Sequence, residues 1–224
     1  LDQVLERLKT SNSIDAITLH DYINLPPTNA PCGGSLAPSG IEEFLLQSFN
    51  HVQELQNKEF LKIQEFNSNF SPKEIWITEF NLDDDNDNRT GTWAHGLLVA
   101  SLALNYLETP EITKIISHTM LAGGRFGNVF ESNNAFNGLS CHGDPQVGTI
   151  ATRKAEKSAL GTALDGVANT IRNAIKATPL SFPNADILSN SINFVDIMGW
   201  VFEDGHGFQK TIILNLSSYN YDIG

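Results

Sequence analysis

Three times along this chain a short apolar run passes through an irregular segment into residues whose apolar positions recur at helical spacing. Ile14 to Ile23 (IDAITLHDYI) reads as the first strand, and a loop punctuated by Pro26, Pro27, Pro31, Gly33, Gly34 and Pro38 follows it. A helix is expected from Ser39, with Glu42 at capping-box spacing. Ile41, Phe44, Leu45, Ser48, Val52 and Leu55 form its stripe, which frays at Asn57-Lys58 and resumes weakly to Phe66. The second unit is a strand from Glu74 to Leu82, an acidic loop from Asp83 to Asn88, and a helix from about Thr92 to Leu107. Thr90 stands near its cap and Pro110 stops it. Trp93, Leu97, Ala100, Ser101, Leu104 and Leu107 are expected to line its buried face.

The third unit starts with the strand Ile112 to Leu121. A long Gly- and Asn-rich loop then leads to a helix expected over Ala155 to Lys176, with Ala159, Leu160, Ala163, Leu164, Val167, Ile171 and Ile175 turned inward. After Pro179 the pattern becomes β-like at Ile192 to Glu203 and Thr211 to Leu216, joined through the turn-forming Asp204-Gly205-His206-Gly207. Strands alternating with helices indicate a parallel α/β construction over residues 1–178, and 179–224 reads as the start of a β-sheet accessory domain. The long loops follow strands and precede helices, where the catalytic loops of a β/α barrel lie. Three units do not close an eight-stranded barrel. Either the rest lies elsewhere or the sheet is open.

Composition narrows the class. The 224 residues carry 14 Lys and Arg against 26 Asp and Glu, a formal net charge of −12. Phosphate-backbone binding needs a basic face, so no nucleic-acid partner is expected. No apolar run approaches the roughly 20 residues of a membrane span, so no membrane partner is expected either. The chain opens on LDQVLERL, which reads as an amphipathic helix already under way, so a cut or processed longer protein is the expectation. Cys32 and Cys141 fit either one disulfide or two thiols, and Asn88 and Asn215 head glycosylation triplets.

Candidate chemistry gathers at strand ends. Strict alternation in IWITEFN puts Ile75, Ile77 and Glu79 on one face, with Glu79 among apolar walls able to perturb its acidity. The competing reading is a strand-end Glu turned to solvent. His20 and Tyr22 share a face at the end of the first strand; a Tyr hydroxyl can orient a carboxylate, and a His can bind a sugar hydroxyl. Loop-edge packing explains them equally, while Asp21 on the opposite face reads as structural. His118 can line the pocket or serve as a hydrogen-bonded core residue, Trp76 is expected in the core, and for Trp93 packing is favoured over a sugar-stacking face. Asp83 to Asn88 alternates oxygen ligands but lacks an EF-hand's glycine and distal Glu, so a solvated loop is favoured over calcium. No catalytic metal and no cofactor is expected.

HDYI at a strand end, followed some fifty residues on by IWITEFNL, resembles the sixth and seventh strands of retaining (β/α)8-barrel glycoside hydrolases. The nearest look-alikes are the α-L-arabinofuranosidases and the heparanase-like β-glucuronidases. The resemblance extends through TWAHGLLVASLALNYL, the strand KIISHTML as the eighth, and a β-rich tail containing IILNLS. It implies a TIM-barrel fold ending in part of an accessory sheet. It also implies Glu79 as nucleophile, with Tyr22 and His20 as its neighbours in the substrate subsite; His118 and Asn81 are further expected substrate-binding residues. Retention needs a second carboxyl, which the family carries as Glu after Asn on the fourth strand; no Asn-Glu pair occurs here. Glu131 and Asp144 are weaker substitutes. The expectation is therefore a hydrolase of poly- or oligosaccharide, secreted or periplasmic, whose fragment alone is inactive. Its partners would be a carbohydrate and the missing front of the barrel, or a second copy covering the open strand edges. The alternative is a non-catalytic carbohydrate-binding or structural relative.

Overall fold

The computed structural model describes residues 1–11, 13–23, 54, 56–82, 93–118, 129–132, 154–182, 187–189, 194–195 and 197–216. In chain order these form α1 (Asp2–Leu8), β1 (Ala16–Ile23), a π-helical turn (Gln56–Phe60) leading into α2 (Leu61–Asn69), β2 (Glu74–Leu82), α3 (Trp93–Tyr106) and β3 (Ile112–Ser117). There follow β4 (Val129–Ser132), β5 (Lys154–Lys157), α4 (Ala159–Ile171), β6 (Ala174–Pro179), β7 (Ile187–Ser189), β8 (Phe194–Val195), β9 (Ile197–Asp204) and β10 (Gln209–Asn215). The larger strands make two sheets: a parallel one ordered β1-β2-β3 and an antiparallel one ordered β10-β9-β6. Among the described residues no barrel closes.

One apolar cluster serves both sheets. Ile17, Ile75, Ile77, Phe80 and Leu82 of the parallel sheet share it with Leu5 and Leu8 of α1 and with Ile63 and Phe66 of α2. Trp200, Phe202 and Leu214 bring in the antiparallel sheet. The Trp200 indole N–H donates to Glu108 Oε1 at 3.0 Å, fastening β9 to the turn after α3. Between α2 and β2, Asn67 imitates a paired strand. Its Oδ1 accepts from the Lys73 amide at 2.9 Å and its Nδ2 donates to the Lys73 carbonyl at 3.0 Å. That sets the turn from which β2 departs.

α3 departs from the expected one-sided stripe. It is buried nearly all round, at His95, Gly96, Leu98 to Leu104 and Tyr106, whereas Trp93 is 61% exposed and Leu97 only partly covered. The reason is that α3 is a middle layer, with β2 and β3 against it on one side and α4 on the other. Gly96 allows the second contact: a Cβ there would stand 2.8 Å from the Ala159 carbonyl oxygen. Gly96→Ala should therefore cost about 1–3 kcal/mol by forcing α3 and α4 apart, read as a lower midpoint in urea unfolding at unchanged slope.

The helix expected over Ala155 to Lys176 is shorter, running from Ala159 to Ile171. Ser158 caps it, accepting from the Gly161 amide at 2.9 Å. Ala155 instead belongs to β5, which pairs with β4. The chain leaves the helix through Asn173 at φ 65°, a left-handed conformation that Asn tolerates. Ile175 then enters β6 and is 74% exposed. The antiparallel sheet thus takes a strand, Ala174–Pro179, whose first three residues were expected at the end of a helix. Strand pairing with β9 overrides the local helical spacing. The hairpin at Asp204 to Gly207 forms as expected: Asp204 Oδ1 accepts from the amides of His206 and Phe208, and Gly207 supplies φ 83°.

Several expectations lie outside the described residues: the Pro- and Gly-rich loop, the helix start at Ser39, the acidic run Asp83 to Asn88, Cys32, Cys141 and Asp144. For Glu131 the backbone lies in β4.

Candidate functional site

β1 and β2 run parallel, so their C-terminal ends lie side by side. Ile17 pairs with Ile75 and Leu19 with Ile77, but His20 pairs with Glu79, so Thr78 is a residue extra to the ladder. This bulge resets the alternation of β2. Before it Ile75 and Ile77 are core residues; after it Phe80 and Leu82 are. Glu79 is thereby turned away from Ile75 and Ile77, contrary to strict alternation, and comes onto the face of His20 and Tyr22. Trp76 shares this uncovered face and stands outside the core cluster. Its ring carries Lys114 Nζ at 3.6 Å, and its indole N–H donates to Glu74 Oε2 at 2.8 Å. The expectation of a core Trp76 is therefore corrected: it stands on the side of β2 opposite Ile75 and Ile77, and among the described residues the helices pack on the Ile75 side.

Three of the expected site residues converge on Glu79. The Tyr22 hydroxyl donates to Glu79 Oε2 at 2.7 Å, and His20 Nδ1 lies 3.4 Å from the same oxygen. His118, immediately after β3, sets its ring edge-on to Tyr22, with centroids 5.9 Å apart and planes at 80°. Its amide donates to the Phe80 carbonyl at 3.2 Å, which continues the β2–β3 pairing to the site. The Glu79 side chain is 35% exposed, open enough to meet a ligand.

Glu79's carboxyl is held below the usual Glu value. The Tyr22 hydrogen bond is the largest cause; burial opposes it, and the nearby His20 and His118 add smaller lowering effects. Apolar walls are not what perturbs this acid. The sign has chemical content: a carboxylate kept ionised at neutral pH suits a nucleophile, whereas a general acid needs a raised value. Both contacts fall on Oε2.

Asn81 does not line the open face. Its side chain is fully buried, so its expected part in substrate contact is corrected. Its Oδ1 accepts from the Leu82 amide at 2.7 Å and faces His95 Nε2 at 2.6 Å, while its Nδ2 donates to the His118 carbonyl. Asp21 is buried beneath the site and accepts from the Tyr106 hydroxyl on α3, as a structural residue should.

Sequence reasoning missed His95 and Tyr106. The signal for both was present, since positions 95, 98, 99, 102 and 106 form one helical row in which His and Tyr interrupt apolar residues. A polar group in such a row needs a buried partner. Among the described residues no group of three or more His, Cys, Asp or Glu could hold a metal ion, and no helix is long and apolar enough to cross a membrane.

The chain matches no protein-family model and no curated protein sequence.

Proposed function

We propose that this chain supplies the nucleophile of a retaining glycoside hydrolase acting on poly- or oligosaccharide. In this reading β1, β2 and β3 are the sixth, seventh and eighth strands of a (β/α)8 barrel like those of the α-L-arabinofuranosidases and heparanase-like β-glucuronidases. The observation that carries it is the 2.7 Å hydrogen bond from Tyr22 to Glu79 at the C-terminal ends of adjacent parallel strands. Parallel neighbours in sequential order, with the helix layer on one face, are what such a barrel requires. An open α/β sheet unrelated to sugars gives no reason for Tyr22, His20 and an ionised Glu79 to meet.

The Glu79 carboxylate attacks the anomeric carbon while a second carboxyl, about 5–5.5 Å away, protonates the departing oxygen. The electron pair of the broken C–O bond leaves with that oxygen, and Glu79 becomes a glycosyl ester. The second carboxyl, now a base, takes a proton from water; the water oxygen displaces Glu79 and the carboxylate is restored. Tyr22 holds the carboxylate plane through both steps, and His20 stands where a sugar hydroxyl would pass. The acid/base belongs to sequence outside these residues, because no Asn-Glu pair occurs in them. The absence of that pair is also what favours the second reading, a non-catalytic carbohydrate-binding or structural relative.

Trapping separates the two. The protein as its gene encodes it would be incubated with 2-deoxy-2-fluoro donors of arabinofuranose and of glucuronic acid, then digested and weighed. A fluoroglycosyl adduct on the peptide carrying Glu79 is expected with one of them. Hydrolysis of the unfluorinated sugars with an adduct on another acid would remove Glu79 from the role. No hydrolysis and no adduct on either donor, with saturable sugar binding, would favour the non-catalytic relative.

A further inference from the structure

We infer that His95 and Asn81 are a positioning pair for the reacting carboxylate, acting on Glu79 through His118 and Tyr22. The inference rests on the reading of Glu79 given above and concerns two residues that cannot touch a substrate, since both are fully buried.

The orientation of Asn81 is determined by its neighbours. The Leu82 amide is a donor, so the atom that accepts it at 2.7 Å is Oδ1; the His118 carbonyl is an acceptor, so the atom facing it is the amide nitrogen. Oδ1 cannot donate. His95 Nε2, 2.6 Å from it, therefore carries the proton. The chain of contacts then runs outward. His95, near the start of α3, fixes the Asn81 side chain, and the Asn81 amide fixes the His118 carbonyl just past the end of β3. The His118 ring lies edge-on to Tyr22, and the Tyr22 hydroxyl holds Glu79 Oε2. β2 and β3 slip register between Ile77 and Phe80, and pairing resumes at Phe80 and Ser117, with the His118 amide donating to the Phe80 carbonyl at 3.2 Å. The backbone holds His118 on its amide side and the Asn81 amide holds its carbonyl, so the side-chain link helps to set how closely His118 approaches Tyr22. A link buried in a low-dielectric site holds its geometry more firmly than an exposed one.

The pair therefore controls the charge state and aim of Glu79 without entering the site, and a misplacement of about 1 Å is the kind that costs up to about 100-fold in rate. The test uses neutral substitutions, so that no new charge shifts Glu79 directly. In the protein as its gene encodes it, His95→Leu removes the donor and His95→Gln retains one. Asn81→Ser keeps an acceptor for the Leu82 amide but is too short to reach the His118 carbonyl. The readout is the titration midpoint of the Glu79 carboxyl by carbon-13 NMR, its resonance assigned with Glu79→Gln. Tyr22→Phe serves as the benchmark for complete loss of the hydroxyl.

His95→Leu and Asn81→Ser should each raise the Glu79 midpoint in the direction of Tyr22→Phe, and His95→Gln should return it to the parent value. Where turnover is measurable, the two disrupting variants should lower kcat about tenfold or more with little change in KM. A lower melting temperature with an unmoved Glu79 midpoint would overturn the assignment, because the pair would then serve the fold alone. So would a failure of both disrupting variants to fold. The titration needs no substrate. If it moves as expected in a protein that hydrolyses nothing, the hydrolase reading falls and the positioning pair stands.

Discussion

On the proposed glycosidase reading, replacing Glu79 by Ala in the protein as its gene encodes it should lower hydrolysis on the order of 10⁴-fold or more, the scale seen when a member of a covalent catalytic unit is removed. Adding azide should then restore turnover and yield a glycosyl azide. The cavity left by the carboxylate admits a small anion, which attacks the anomeric carbon from the face Glu79 had occupied. The azide product carries the anomeric configuration opposite to that of the substrate, since a single displacement replaces two. The pH profile should change on its acid side. Tyr22 holds the Glu79 carboxyl low, so on the same reading the parent should keep its activity on acidification until that group protonates. With azide as the nucleophile that acid limb should no longer report Glu79. Hydrolysis unchanged in the Ala variant, with no glycosyl azide formed, would end the assignment.

Tyr106→Ala should produce the largest loss of stability among substitutions outside the site. Tyr106 is fully buried and meets Phe80 edge-on at 5.6 Å and Phe60 at 6.4 Å, so removing its ring should cost about 3–5 kcal/mol. Tyr106→Phe keeps the ring but takes the hydroxyl from Asp21, which is 3% exposed; about 1–3 kcal/mol should be lost. The two variants divide the packing from the hydrogen bond. They also differ from the parent in alkali. Burial, followed by the charge of Asp21 and the hydrogen bond to it, holds the Tyr106 hydroxyl well above its ordinary value. Above about pH 10 the unfolded chain releases this proton and the folded chain keeps it, so the unfolded state binds fewer protons. The Tyr106 contribution is thus fully present below that pH and lost as pH rises toward the folded value. Tyr106→Phe should show a shallower alkaline decline in unfolding free energy than the parent. An equal fall in unfolding free energy from neutral to alkaline pH in the parent and in Tyr106→Phe, read from urea titrations, would contradict the burial argument.

How far the site was legible in the sequence can be followed residue by residue. Tyr22, His20, Glu79 and His118 were singled out because polar residues with catalytic chemistry stood at the ends of apolar strands, and parallel pairing brings such ends together. Which side Glu79 faces was misread, since alternation is counted along one strand while a bulge arises between two. Thr78 is extra only relative to Leu19 and His20 on β1. Asn81 was read as a ligand contact from its place in the motif. Its burial depends on His95, fourteen residues later in the chain, and on His118, thirty-seven later.

By itself the sequence determined the alternation of strands with helices and the acidic balance. It also determined which residues carry chemistry at the strand ends, since periodicity and side-chain type are local properties. Tertiary structure alone decided the turn of Glu79 onto the Tyr22 face and the direction of its acidity. It decided, too, the burial of α3 on both sides and the placing of residues 174–176, expected at the end of a helix, in the strand Ala174–Pro179. Each of these depends on what a segment packs against or pairs with. A bulge, a hydrogen-bonded carboxylate and an edge strand are relations between distant stretches of chain, and no single stretch contains them.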